Sequence, residues 1–195
     1  MFHASMVDLK VGDYLLPNEK KGGKVYATKE KFQCLIFGKN KESLRDLGSR
    51  ISHTTLENGT LAVTYTENYP KIFENEFKGK SCFIYELEDD GFSQGAWPVE
   101  WFKTGKAKII KKYKIKDLYT EIMKEVKRNR IQISFYTETR EYIKGVINHL
   151  MQNLTWGYPI DYLIDLAREH GANAVENYFR KLKELNENYF NSLQE

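Results

Sequence analysis

Three short segments, far apart in the chain, carry side chains suited to one kind of chemistry. They are Phe2-His3-Ala4-Ser5, Lys24-Val25-Tyr26-Ala27-Thr28 and Val99-Glu100-Trp101, and each reads as a short β segment. Breaking the bond between nicotinamide and ribose in NAD passes through a cationic, oxocarbenium-like transition state, as glycoside hydrolysis does. The leaving group is already positively charged and needs no general acid. A protein doing this chemistry must clamp the nicotinamide, hold the ribose and place negative charge where cation character develops. An aromatic ring such as Tyr26 can stack on nicotinamide. The imidazole of His3 can hydrogen-bond a ribose hydroxyl. The carboxylate of Glu100 can bind the other hydroxyl, polarise an acceptor and stabilise the cation.

The elements that must position these residues follow from periodicity. Residues 1–116 read as mostly β with some helix. Met1–Ser5 and Val25–Thr28 are expected strands. Lys29–Phe37 is an expected helix, with Phe32, Leu35 and Ile36 on one face and Thr28 as its N-cap. Ser49–Tyr65 reads as a hairpin turning at Glu57-Asn58-Gly59. Ser81–Leu87 is the clearest strand, closed by Glu88-Asp89-Asp90-Gly91, and Pro98–Phe102 and Ala107–Ile115 are expected to complete the sheet. From Asp117 the pattern turns helical. Asp117 is the expected N-cap of the first helix, Glu138–Leu150 the second, Pro159–His170 the third with Gly171 closing it, and Ala172–Phe190 the last. The expected domains are 1–116, β-rich, and 117–195, a helical extension packed on it.

Composition sets outer bounds. With 41% hydrophobic and 14% aromatic residues the chain can bury a core. No apolar run approaches the ~18 residues of a membrane helix, and the N-terminus lacks the pattern of a signal peptide, so a cytoplasmic location with no membrane partner is expected. Cys34 and Cys82 lack metal-ligand spacing and read as buried small hydrophobes, and no metal is expected. His53, His149 and His170 read as structural. The chain carries a net charge of +3. Much of the basic excess sits in Lys103–Lys116, which holds seven lysines. That run is either a phosphate-binding stripe, with nucleic acid as a partner, or a strand with solvated lysines. It contains no arginine to fork onto a phosphate.

The order His, Tyr, Glu resembles the diphtheria-toxin-like branch of the ADP-ribosyltransferase superfamily, which includes the poly(ADP-ribose) polymerases. Phe2-His3-Ala4-Ser5 is similar to the first-strand His-Gly-Ser/Thr of that branch, with Ala4 in place of the glycine. Val25-Tyr26-Ala27-Thr28 leading into a helix resembles its second motif, and Glu100-Trp101 before a lysine-rich strand its third. The layout is also similar to the rifamycin ADP-ribosyltransferases, through Leu9-Lys10-Val11-Gly12-Asp13 and through Ile84-Tyr85 leading to Asp89-Asp90-Gly91-Phe92. The resemblance covers about residues 1–116. It implies an α+β fold with a split β-sheet core, followed by a helical C-terminal region. It implies NAD as substrate and an acceptor that is a protein, a nucleic acid or a small molecule. It implies that His3, Ala4, Ser5, Tyr26 and Thr28 bind NAD, and that Glu100, with His3 and Tyr26, is catalytic. Asp89 and Asp90 are rivals for the place of Glu100, and Phe32 or Phe37 for that of a second aromatic. The alternative is a non-catalytic module on the same fold that binds a nucleotide, RNA or a protein.

Overall fold

The computed structural model describes residues 1–19, 22–39, 45–57 and 59–192. The fold is mixed α+β with antiparallel sheets. The chain divides into two compact units that interleave along the sequence. One comprises Met1–Ser43, Ile51–Tyr65 and Phe73–Ile133; the other comprises Leu44–Arg50, Thr66–Ile72 and Ser134–Glu195.

The first unit holds the three sequence segments. A four-stranded sheet runs β1 (Phe2–Ser5), β6 (Cys82–Leu87), β9 (Ala107–Ile115) and β2 (Tyr14–Leu15). A second, three-stranded sheet runs β3 (Lys24–Ala27), β8 (Trp101–Thr104) and β7 (Ser93–Gln94). The stretch expected to complete one sheet is therefore shared between two. Gly105, at φ 82°, turns the chain out of β8, and β9 then pairs with β6 instead of with the sheet just left. Phe2 and Thr28 form an isolated bridge between the two sheets, and each N–H donates to the other's carbonyl at 2.8 Å. Leu15, Val25, Ala27, Tyr85, Leu87, Ala107 and Ile109 pack into one apolar cluster, so strands of both sheets enclose a common core. Alternation along each strand puts these residues on its inner face.

Helix α1 spans Lys31–Phe37 and buries Phe32, Leu35 and Ile36, the face expected from their spacing. Its N-cap is Glu30, not Thr28. The Gln33 side chain reaches back to accept from the Glu30 N–H at 3.3 Å, the reciprocal device that defines a helix start. The Thr28 hydroxyl instead donates to the Glu30 carbonyl at 3.0 Å. Helix α4 (Leu118–Lys127) begins after Asp117, as expected, and buries Leu118 and Ile122. Helix α3 (Ile72–Phe77) brings Phe73 and Phe77 edge-on to Tyr65, with ring centroids 5.3 and 5.5 Å away. A third sheet orders β10 (Ile131–Ser134), β5 (Leu61–Glu67) and β4 (Ser49–Thr55). The β4–β5 hairpin is the one expected; Asn58 of its turn lies outside the described residues.

The second unit is mainly helical. It holds α2 (Arg45–Gly48), α5 (Arg140–Thr155), α6 (Ile160–Glu169) and α7 (Asn173–Ser192). The buried face of α6 is Leu163, Ile164, Leu166 and Ala167, and α7 packs on α6 with Val175 and Phe179 fully buried. Gly171 adopts φ 67° just past the C-cap His170, a backbone state that glycine enters without strain. No helix among the described residues is long and apolar enough to cross a membrane.

Candidate functional site

His3 lies on β1 opposite Tyr85, with Ser5 opposite Phe83. Directly paired residues share a sheet face. His3 and Ser5 therefore lie on the face of the apolar cluster, to which Tyr85 belongs and against which Phe83 packs. The Tyr85 hydroxyl is fixed from both sides: it accepts from the Leu9 N–H and donates to the Val7 carbonyl, each at 2.7 Å. Its burial raises its pKa.

After the Phe2–Thr28 bridge the imidazole of His3 spans from β1 to β3. Its Nδ1 lies 2.7 Å from the backbone carbonyl of Tyr26. A carbonyl only accepts, so Nδ1 carries the proton, and in the neutral ring Nε2 is left as an acceptor. The sequence places His3 and Tyr26 twenty-three residues apart, and the fold joins them through this contact.

Tyr26 pairs with Phe102 of β8, and Ala27 with Trp101. Val25 and Ala27 face the cluster, so the rings of Tyr26 and Phe102 share the opposite face, both half-buried. Lys24 extends along this face, its Nζ 4.0 Å from the Phe102 ring centroid. Phe102 was not singled out by residue type. Only strand register reveals it as the neighbour of Tyr26.

Glu100 does not lie on a strand; it immediately precedes β8. Its N–H closes a turn on the Trp97 carbonyl at 2.9 Å, while its carbonyl accepts from the Gly95 N–H at 2.8 Å. That second bond continues the β7–β8 register, in which Gln94 faces Trp101. Alternation then puts Glu100 on the face of Phe102 and Tyr26. Its carboxylate lies against Gly95, where a Cβ would come within 3.0 Å of both Cγ and Cδ. The side chain thus leans across β7, on the side of β8 away from β3. A glycine within a strand pattern marks such close approaches, and that was the available signal for Gly95.

The remaining residues are placed as follows. Ala4 pairs with Ile84 and is half-buried. The Ser5 hydroxyl oxygen accepts from the Val7 N–H at 3.1 Å. Thr28 is 5% exposed, and its Oγ1 is 3.0 Å from the Cys34 sulfur as well as bonded to Glu30. Phe32 is buried, whereas Phe37 is exposed. Burial pushes the thiols of Cys34 and Cys82 up to about 12, so both stay protonated and unreactive near neutral pH. Asp89 and Asp90 are largely exposed; Asp89 pairs with the Met1 amine and Asp90 with Lys103.

An open cavity of about 760 Å³ adjoins the start of β1. Phe2, Leu87 and Ile110 give it an apolar floor, and Lys29 with Glu30, Glu86, Glu88, Asp89 and Asp90 a charged rim in which carboxylates predominate. It lies where β1 begins and β6 ends, lined by Met1 and Phe2 at the one and Glu86 and Leu87 at the other. The lysine run is partly compensated within the unit. Lys103, Lys108 and Lys112 pair with Asp90, Glu88 and Asp8, and Lys106 lies over the Tyr14 ring. Among the described residues no group of three or more His, Cys, Asp or Glu is arranged to hold a metal ion.

No protein-family model matches the chain, and neither a curated protein nor a solved structure matches it.

Proposed function

We propose that the first unit transfers ADP-ribose from NAD to an acceptor. The observation that carries this reading is the seam between β1 and β3. One reciprocal bridge joins the strands, and the His3 imidazole then reaches the Tyr26 carbonyl. In the reaction the bond between the nicotinamide nitrogen and ribose C1′ breaks, and its electron pair leaves with nicotinamide. An acceptor oxygen or nitrogen bonds to C1′ and gives up its proton to water. The His3 imidazole, oriented by its bond to the Tyr26 carbonyl, is of a type that hydrogen-bonds a ribose hydroxyl. The half-buried Tyr26 ring suits a flat heterocycle. Glu100, in the turn just before β8 and leaning toward Gly95, is the carboxylate this reading assigns to catalysis.

The test is calorimetric titration of the full chain with NAD, together with release of nicotinamide in the presence of mixed protein, RNA and small-molecule acceptors. Saturable binding and turnover, with turnover lost in Glu100→Gln, are expected. Absence of both binding and turnover in the unaltered chain overturns the reading.

The second reading is a non-catalytic module that binds a protein. The predominance of carboxylates on the rim of the cavity favours it, since these can pair with a cationic peptide in exchange for their present partners. In that case a lysine- or arginine-rich peptide binds with steep salt dependence, and Glu100→Gln changes nothing.

A further inference from the structure

Glu100 owes its place to a residue with no side chain. Gly95 lies directly across from it at the end of the β7–β8 ladder, where the Gly95 N–H donates to the Glu100 carbonyl. At an antiparallel pair, opposed side chains have Cβ atoms about 4.5–5.5 Å apart and normally compete for the same space. Here one partner lacks a Cβ, and the Glu100 side chain occupies the volume that one would take. A Cβ on Gly95 would overlap Oε1 and lie 3.0 Å from Cγ and Cδ. Those atoms are the three nearest to such a Cβ, so the carboxylate end of Glu100 defines the near wall of this space.

The backbone does not explain the glycine. Gly95 is absent from the glycines with positive φ, so its conformation is open to any L-residue. The turn is held independently, by the Glu100 N–H on the Trp97 carbonyl at 2.9 Å and by the Gln94 side chain on the Pro98 carbonyl at 3.3 Å. Neither bond uses the space above Gly95. What glycine provides at this position is room for one carboxylate.

We propose that Gly95 is a positioning residue for Glu100: its missing side chain forms the seat that fixes where the carboxylate sits. The inference rests on the proposed role of Glu100 but is separable from it. An alanine at 95 overlaps Oε1, the far end of a flexible side chain, and crowds Cδ and Cγ behind it. It displaces the carboxylate by rotation about the Glu100 side-chain bonds and leaves the hairpin intact.

The experiment compares the full-length chain with Gly95→Ala, Glu100→Gln and the double variant. The carboxyl carbon resonance of Glu100, assigned by its loss in Glu100→Gln, is expected to move in Gly95→Ala, while the thermal midpoint stays close to that of the parent. In NAD turnover, Gly95→Ala is expected to lower kcat by about tenfold or more with KM little changed, the split expected when a transition-state contact is lost. Added to Glu100→Gln, it should cost nothing more, because the two act as a unit. An unmoved Glu100 resonance overturns the seat. So does an unchanged kcat in an active protein, or an additive loss in the double variant. If the parent neither binds nor cleaves NAD, the functional reading fails, and the resonance alone then decides the seat.

Discussion

The two units differ in how completely they satisfy their buried polar groups. In the first, each is answered. Glu76 takes bonds from both Lys39 and the Tyr65 hydroxyl, Glu125 pairs with Arg128 and Arg130, and Gln33 donates to the Leu61 carbonyl. In the second unit, Arg50 Nε, Asn68 Oδ1, Tyr69 Oη and Asn153 Oδ1 are buried without a hydrogen-bond partner, and these four are the orphans among the described residues. Each such group costs about 1–3 kcal/mol of desolvation. The second unit offsets that cost by apolar burial at Leu163, Ala167, Val175 and Phe179. The satisfied networks of the first unit tie helices α1 and α3 to β5 and α4 to the chain that follows it, where they fix side-chain positions as apolar packing alone does not. The helical unit relies on shape and burial.

The largest effect expected is chemical and belongs to the first unit. Glu100→Gln should lower NAD turnover by about 10²–10³-fold, as removal of one well-placed electrostatic contact does, with calorimetric NAD affinity retained. An active Glu100→Gln would remove the site from this side of the comparison. The next effect belongs to the second unit's reliance on burial. Phe179→Ala should cost about 3–5 kcal/mol in urea denaturation. A cost below about 1 kcal/mol, the scale of a lone surface change, would show that the α6–α7 interface is not what offsets the orphaned groups.

Two tyrosines then set the units side by side, both with fully buried side chains. The Tyr65 hydroxyl donates to Glu76 at 2.7 Å, whereas the Tyr69 hydroxyl is unpartnered and its pKa is raised by burial. Tyr65→Phe should destabilise by about 1–2 kcal/mol, since a bond to a carboxylate is lost. Tyr69→Phe should be neutral or stabilising by up to about 1 kcal/mol, since only a desolvated hydroxyl is lost. Equal costs for the two would erase the distinction.

Much of this architecture was legible where a short-range pattern sufficed. The helices after Asp117 follow from apolar spacing, and α6 (Ile160–Glu169) lies within one residue of expectation at each end. Strands β1, β3, β6 and β9 were visible as β-forming runs. Non-local features were hidden. The assignment of β8 and β9 to different sheets depends on which strand each meets. Strand β10 is four residues long and gains definition only against β5. Helix α3 is six residues long, too short for periodicity to declare. At the candidate site, His3, Tyr26 and Glu100 were chosen by type and order. That His3 meets Tyr26 through a backbone carbonyl, and that Glu100 sits in a turn one residue short of its strand, follow from register and turn closure. Gly95 and Phe102 matter only as cross-strand neighbours, a relation that sequence order does not carry.

The Phe2–Thr28 bridge has a mechanical consequence. Two N–H···O bonds form the isolated bridge between Phe2 of β1 and Thr28 just past β3, far fewer than the β6–β9 ladder carries, so the seam is expected to open more readily than the ladder. The amides of Phe2 and Thr28 are then the natural reporters of breathing at the seam. In deuterium exchange they should trade hydrogen sooner than the ladder amides of Ile84 and Tyr113, and a dinucleotide lodged against His3 and Tyr26 should slow them.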